Sequence, residues 1–544
     1  MQSVPSRPES GMRAPSAAIN RRRFLAGAAA VTAGAVAGAS VAGSAGAKPG
    51  RVRSEASEHR VIVVGSGFGG GVTALRLTQA GVPVLLLERG KEWKTGPNAQ
   101  TFPNPTAPDK RALWHRSAPQ LFGRPFSPEP YAGLVDAVAG ENMTAVTAAC
   151  LGGGSLLYQG MSLEPAEAVF NEHLPEQLDW ARMHRVHYPR VAQMLGLATA
   201  PDALVRTPQY RAARIIAAHA RRAGLPVSKI PMPIDWQYAL DELAGRMRPS
   251  YTDGSGALGV NNGGKHSVDV TYLKQARATG LLTVATLHEV NDVARDRAGK
   301  WTVNVTATDV NGTPVARKKL TTPTLVMAAG SVHTTRLLLR ARESGAIADL
   351  PDGLGAGWGT NADRIYVWSN PGLDFGIKQG GPVVFGSLNW DSPDNAHTLI
   401  QASIPSFGAE AHSTMMVGYG VSRGRGEFRY DSASGDARLH WPADGDRRIQ
   451  WGHIHPTALK IAGPGSVLTD SNRFLNTTWH PLGGAAMGSV CDLSGRVRGQ
   501  RGLYVIDGAL IPGTSAACNP SMTIAAVAER ALDDIVANDV GSII

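Results

Sequence analysis

Residues 59–90 read HRVIVVGSGFGGGVTALRLTQAGVPVLLLERG, and this stretch decides the fold. Arg60–Val64 is a short run rich in β-branched side chains, which reads as a buried strand. The turn Gly65-Ser66-Gly67-Phe68-Gly69-Gly70 follows without a gap, and Val72–Ala80 reads as a helix stopped by Gly81. A second apolar strand, Val84–Leu87, ends in Glu88, 18 residues after Gly70. Each part has a physical job in a βαβ unit that binds a dinucleotide. Gly65 permits the tight turn, Gly67 lets backbone approach a pyrophosphate at the positive end of the helix, and Gly70 lets helix and strand pack closely. Glu88 offers a carboxylate to a ribose 2′-hydroxyl. A glycine-rich turn without a ligand would not explain an acid closing an apolar strand.

The chain around this unit has 544 residues, so several domains, or two large interleaved ones, are expected. Residues 20–47, NRRRFLAGAAAVTAGAVAGASVAGSAGA, hold Arg21, Arg22 and Arg23, then an uncharged Ala/Gly-rich run ending in Ala45-Gly46-Ala47. This reads as a twin-arginine export signal over residues 1–47, recognised by the twin-arginine machinery and giving a secreted protein. A membrane anchor is the weaker alternative, because Ala and Gly contribute little transfer energy. No later segment has the ~18 continuous apolar residues that span a bilayer.

The formal charge is +10. Part of it belongs to the leader, and the remainder suits either an anionic membrane surface or simple solubility. The basic residues are scattered and no nucleic-acid module is visible. Cys150, Cys491 and Cys518 show no C-x-x-C spacing; one disulfide is possible in an exported chain, with buried free thiols as the default. His453 and His455 stand two apart without further ligands, so no metal site is expected.

The βαβ unit stands hundreds of residues ahead of the rest of its sheet. Candidate later pieces are strands around LLTVATLHEVNDV, WTVNVTATDV and TLVMAAGSVHTTRLLL, then GLYVIDGALIP and a terminal helix in SMTIAAVAERALDDIV. An exported protein also favours a tightly held flavin over a diffusible nicotinamide, so FAD is the expected cofactor. The expected fold is α/β: a discontinuous Rossmann-like FAD-binding domain (58–92, 266–355 and 495–544) with an inserted substrate-binding domain (93–265 and 356–494). The insert is expected to be α+β, a mixed or antiparallel sheet covered by helices.

From about residue 58 to the C-terminus the chain resembles the glucose–methanol–choline oxidoreductases, and within them the branch with non-covalent FAD that acts on cholesterol. The resemblance rests on GSGFGG, LGGGSLL, QGM, GVNNGGKHSVDVTYL, TLHEV, AAGSVHTTRLLLRARESG, GAGWG, WHPLGG, GLYVIDGALIPG and NPSMTIAAVAER. It is weakest at 365–410 and 443–475. It implies pyrophosphate contacts at Phe68 and Gly69 and a ribose contact at Glu88. Gly153, Gly154 and Ser155 would form a loop beside the isoalloxazine, with Met161 near the flavin. Val290 would meet adenine through its backbone, and Asp507 and Gly508 would contact the flavin chain. Two departures are Tyr158-Gln159, where that family has Asn-Gly, and Cys518, where an aliphatic residue is usual.

The resemblance also implies the reaction and its partners. The substrate would be a 3β-hydroxysteroid, oxidised at the expense of molecular oxygen, with transient contact to a membrane to extract it and a monomeric enzyme. Oxidising a secondary alcohol requires a hydride to leave carbon while the hydroxyl proton is taken, so a polar group must accept that proton. His480 matches the family's active-site histidine and Asn519 its amide partner. Pro481 and Pro520 each hold the preceding residue extended, which suits preorganisation. Glu410 matches a catalytic glutamate that moves a proton from C4 to C6 and brings the double bond into conjugation, across a one-residue insertion; an ordinary surface glutamate is the alternative. His412 ranks below Glu410, and His266 reads as structural. Competing readings are an oxidase or dehydrogenase of another bulky alcohol without isomerisation, and a sterol-binding flavoprotein without chemistry. No G-x-S-x-G elbow favours a hydrolase.

Overall fold

The apolar run after Arg60 becomes the central strand of a five-stranded parallel sheet, in the order Leu503–Val505, Thr324–Met327, Val61–Val64, Val84–Leu87, Leu282–Ala285. The computed structural model describes residues 53–121, 124–406, 408–471, 473 and 476–544, so residues 1–47, read above as an export signal, lie outside the described residues. Val61–Val64 and Val84–Leu87 are buried at every position, in one core with helices and with Val293, Val303 and Val305 of a neighbouring sheet, so no polar side is left to the strand.

Three helices frame this sheet: α1 (Phe68–Gln79), α2 (Gly330–Glu343) and α3 (Pro520–Asn538). The start of α1 corrects the expectation of Val72, since the glycine run is itself helical. A Cβ on Gly69 would lie 1.7 Å from the Ile506 carbonyl oxygen, and one on Gly71 would lie 2.3 Å from Val268 Cγ1. The missing side chains let the first turn of α1 press against neighbouring backbone. LLTVATLHEVNDV is likewise two strands rather than one. Leu282–Ala285 closes the parallel sheet, Leu287 takes a left-handed φ of 59°, and His288–Arg295 enters a separate four-stranded sheet.

The second large layer is a six-stranded sheet in the order Val467–Asp470, Arg364–Ser369, Ser413–Gly420, His397–Ala402, Phe385–Asn389, Ser228–Lys229, antiparallel at every pairing. Its strands alternate with the period of two that a pleated sheet requires. Tyr366, Trp368, Leu399 and Met416 face outward into a core with Ile454, Ala458 and Ile461 of the helix His455–Ala462. Ile400, Val417 and Tyr419 face inward to a second core with Met161, Ile230 and Trp236. That inner face is the one turned toward the site.

All three cysteines are free and buried. Among the described residues no helix is long and apolar enough to cross a membrane, and no group of His, Cys, Asp or Glu is arranged to hold a metal ion.

Candidate active site

The first half of the site is a cradle at the start of α1. Gly65 holds φ 100°, and a Cβ there would strike the Ala328 carbonyl oxygen at 2.2 Å; one on Gly70 would strike the Gly65 oxygen at 2.1 Å. Gly67 is the opposite case. A Cβ on it meets nothing within 4 Å, as on Gly154, so both face open space. Gly67 caps α1 without a side-chain hydrogen bond, which leaves the first-turn N–H groups to an anion. The loop Gly153–Ser155 closes over this turn: a Cβ on Gly153 would come 2.8 Å from Gly67 Cα. Ser155 Oγ anchors the loop, donating to the Gly152 oxygen at 2.7 Å and accepting from Val268 N–H at 2.9 Å.

Glu88 lies buried beside the cradle. Its Oε2 accepts from Ser66 Oγ at 2.6 Å and its Oε1 from Gly90 N–H at 2.8 Å. Burial pushes its carboxyl pKa up, and those two hydrogen bonds pull it partly back. Each oxygen keeps lone-pair capacity for a ribose hydroxyl. Val290 stands at the irregular point of its strand, opposite Val305. An open Gly67, an uncapped helix start and a buried acid fit a dinucleotide. Asp507 does something else with its side chain. Its carboxylate is filled by Gly330 N–H (2.8 Å), Thr334 Oγ1 (2.6 Å) and Ala509 N–H (2.7 Å), and burial pushes its pKa up to about 6. It ties the start of α2 to the Gly508–Leu510 turn, leaving Gly508 to meet other groups through backbone.

Tyr158 packs edge-on against Phe68 with ring centroids 5.6 Å apart, so this departure from the family pattern does sit at the cradle. Lys265 Nζ lies 4.8 Å from the Tyr158 ring centre and donates to the Leu156 and Tyr158 carbonyls at 2.8 and 2.5 Å. Burial lowers the Lys265 pKa to about 7. Both residues line a recess shared with Ile234, Tyr251, Val260 and Ser403.

The second half of the site is built by three segments that converge. WHPLGG turns away from the sheet with Gly483 at φ 83° and Gly484 at φ 98°. Added side chains there would strike the Gly357 oxygen at 2.6 Å and Thr335 Oγ1 at 2.3 Å, so both glycines are required twice over. His480 is buried, and its Nε2 lies 3.0 Å from Asn519 Nδ2. Asn519 is the N-cap of α3: its Oδ1 accepts from Ser521 N–H at 3.1 Å and from Ser521 Oγ at 2.7 Å. Tyr419 stands edge-on to the imidazole at 5.5 Å, and its hydroxyl reaches Met161 Sδ at 3.8 Å. His480, Asn519 and Met161 are thus brought together on the inner face of the antiparallel sheet.

On the far side of the imidazole lies a residue that sequence reasoning missed. Asp363 Oδ1 is 2.7 Å from His480 Nδ1, in ion-pair contact though not aligned as a directed hydrogen bond. Its Oδ2 accepts from Thr478 Oγ1 at 2.7 Å and Trp479 N–H at 3.1 Å. Asn361, two residues earlier, donates to the Cys518 carbonyl at 2.9 Å and to Ser515 Oγ at 2.8 Å. Three non-glycine residues in this cluster are left-handed: Ala362 at φ 58°, Ala516 at 57° and Ala517 at 62°. Such backbone costs on the order of 1–3 kcal/mol per residue and persists where surrounding bonds over-determine it, as Asn361 does here.

Glu410 is not part of this cluster. It lies partly exposed on the loop between His397–Ala402 and Ser413–Gly420, with Oε1 accepting from His412 N–H at 2.7 Å. Among the described residues no hydrogen bond or ion pair links it to His480 or Asn519. His412 Nδ1 pairs with the Leu373 carbonyl at 2.7 Å, and His266 Nδ1 with the Leu195 carbonyl at 2.9 Å.

Comparison with known proteins agrees with this geometry. Residues 130–349 and 431–528 match the two family models described as GMC oxidoreductase, and residues 63–134 match a model described as an NAD(P)-binding Rossmann-like domain. The chain is 26% identical to a cholesterol oxidase of Mycobacterium tuberculosis (strain ATCC 25618 / H37Rv), over 87% of this chain and 90% of that one. It is 25% identical to a cholesterol oxidase of Acinetobacter baumannii, over 88% and 95%. Among solved structures, pyridoxine 4-oxidase from Mesorbium loti superposes with a TM-score of 0.61 at 17% identity, covering 88% of this chain and 99% of that one.

Proposed function

The chain belongs to the GMC oxidoreductase family, and on that premise we propose that it is an exported FAD-dependent oxidase of 3β-hydroxysteroids that also isomerises its product. The observation that carries the reading is the buried His480–Asn519 pair, 3.0 Å apart, with His480 on a turn whose Gly483 N–H donates to the Gly508 carbonyl at 2.9 Å, next to the Ile506–Asp507 backbone against which Gly69 of the cradle packs. The full-length likeness to proteins named cholesterol oxidase supports the substrate class. Ile400, Val417 and Tyr419 on the adjoining sheet face, with Met161 packed against them, suit a steroid skeleton.

Bound non-covalently at Gly67, Glu88 and the 153–155 loop, FAD would supply the hydride acceptor. The protein handles the proton. A substrate hydroxyl that donates to His480 Nε2 and accepts from Asn519 Nδ2 replaces one internal hydrogen bond with two. As the carbinol carbon gives up its hydride, the hydroxyl proton passes to Nε2. Glu410 would then carry a proton from C4 to C6 of the non-conjugated 3-ketosteroid; what supports this is its motif and a loop that begins at Ser403, on the recess. Molecular oxygen would be the terminal electron acceptor, leaving as hydrogen peroxide. The leader over residues 1–47 supports export by the twin-arginine route, and sterol uptake implies a passing contact with a membrane surface by a monomer.

Two observations favour a second reading. Glu410 stands apart from His480 and Asn519, and Tyr158 crowds the cradle, which fits oxidation of a bulky secondary alcohol without isomerisation. A panel of steroids and other secondary alcohols, scored for peroxide and for near-ultraviolet enone absorbance, separates the two. Peroxide with enone supports the first reading, and peroxide without enone the second. Turnover of other alcohols but of no sterol sinks the substrate assignment.

A further inference from the structure

The hydrogen bonds around His480 determine which of its nitrogens carries the proton. Ser521 N–H can only donate, and it donates to Asn519 Oδ1 at 3.1 Å. The amide is therefore oriented with Nδ2 toward the imidazole, where it donates to His480 Nε2 at 3.0 Å. An Nε2 that accepts holds a lone pair, so the ring proton sits on Nδ1. Asp363 Oδ1 lies 2.7 Å from that nitrogen, in ion-pair contact.

We propose that Asp363 is a positioning residue that fixes His480 as the Nδ1-protonated base and stabilises the imidazolium formed when Nε2 takes the substrate proton. This rests on the reading of His480 as the proton acceptor. The alcohol O–H breaks as a new N–H forms at Nε2, FAD when bound would supply the acceptor for the carbinol hydride, and the positive charge left on the ring lies against a carboxylate with no solvent exposure. Thr478 Oγ1 and Trp479 N–H, both donating to Asp363 Oδ2, come from the chain that carries His480, so acid and ring share one frame. Thr478 Oγ1 also accepts from His480 N–H at 3.1 Å. The left-handed turn at Ala362 aims the carboxylate inward, and Thr360 Oγ1 holds that turn by accepting from Ala362 N–H at 2.9 Å.

The other ionisable groups nearby are few. Tyr419 meets the ring edge-on, with the Cys518 thiol beyond it, and burial pushes the pKa of both up, so both stay neutral. Asp446 lies behind Asp363 with Arg364 beside it; the Asp363 charge helps raise the Asp446 pKa. Asp363 is therefore the group in direct ionic contact with His480.

The test uses the holoenzyme with ring-¹⁵N-labelled histidine, the His480 signals being assigned against His480→Gln. Wild type is expected to show Nδ1 protonated and Nε2 bare without any substrate. In Asp363→Asn the Thr478 and Trp479 donors retain the amide oxygen, so the amide nitrogen faces Nδ1 and drives the proton to Nε2. Flavin reduction should fall by a factor on the order of 10²–10⁴, in kcat more than in KM. The acid limb of its pH profile should move to lower pH, because the imidazolium has lost its anion. Asp363→Glu should restore the Nδ1 tautomer and part of the rate. Nε2 protonated in wild type, or a slow Asp363→Asn with unchanged tautomer and pH limb, overturns the proposal, and the wild-type spectrum decides even where that variant does not fold. A tautomer as expected in an enzyme that oxidises no alcohol would sink the functional reading instead.

Discussion

Arg76 Nη1 lies 2.7 Å from Glu529 Oε2, a pair that joins α1 to α3 across 453 positions of sequence. Arg190 Nη1 reaches the same carboxylate oxygen at 3.0 Å, and Glu529 is 1% exposed. Removing this acid leaves two guanidinium groups competing for Asp533. Glu529→Ala is expected to cost about 3 kcal/mol of stability in urea denaturation. A loss below about 0.5 kcal/mol would mean that apolar packing alone holds α3 on α1.

Gly67 and Gly69 separate ligand space from protein space. Gly69→Ala places a methyl 1.7 Å from a carbonyl oxygen and should cost at least about 3 kcal/mol or abolish folding. Gly67→Ala meets no protein atom, so the apoprotein should melt within about 0.5 kcal/mol of wild type while losing visible flavin absorbance. Equal flavin content in Gly67→Ala and wild type would place the pyrophosphate elsewhere.

Much of this cradle was legible because it is local. Four apolar residues, a glycine turn, a helix and an acid occur within thirty positions, and each step is dictated by its neighbours. His480 and Asn519 carried signals of their own, since each is followed by proline. Asp363 had none. It lies more than a hundred positions before His480, its partners Thr478, Trp479 and His480 all arrive from that one distant segment, and an acid before a strand reads as a solvated turn until the fold buries it. The helical glycines of α1 were unreadable for a related reason: what makes Gly69 necessary is the Ile506 carbonyl, over four hundred residues away.

Glu410 gives a kinetic prediction. Glu410→Gln is expected to leave flavin reduction within about threefold of wild type while the non-conjugated ketone accumulates, because its carboxylate is tied to His412 rather than to the His480 cluster. Stopped-flow flavin reduction and product chromatography on the same sample read the two steps separately. Both steps unchanged would remove Glu410 from the mechanism.

Asp446 predicts a pH effect. Burial raises its pKa to about 6, although Thr360 Oγ1 at 2.8 Å and Ser422 Oγ both donate to it. A raised folded-state pKa contributes stability that is fully present below the ordinary carboxyl pKa and is lost as pH rises through the folded value. Asp446→Asn does not titrate, so its stability relative to wild type should improve by up to about 3 kcal/mol between about pH 4 and pH 7. Denaturant midpoints at the two pH values check this, and a constant difference would show the carboxyl ionised throughout.

The strand order of the parallel sheet also governs when this enzyme can first exist. The central strand Val61–Val64 has Thr324–Met327 on one side, and that strand has Leu503–Val505 on its other edge. A ribosome delivers those pieces hundreds of residues apart, and α3, whose cap is Asn519, comes last of all. Until then the short hydrophobic strands have partners missing and must be kept from pairing with other chains. A chain that stops short of Leu503 would lack the outer strand, the amide beside His480 and the acid that pins α1.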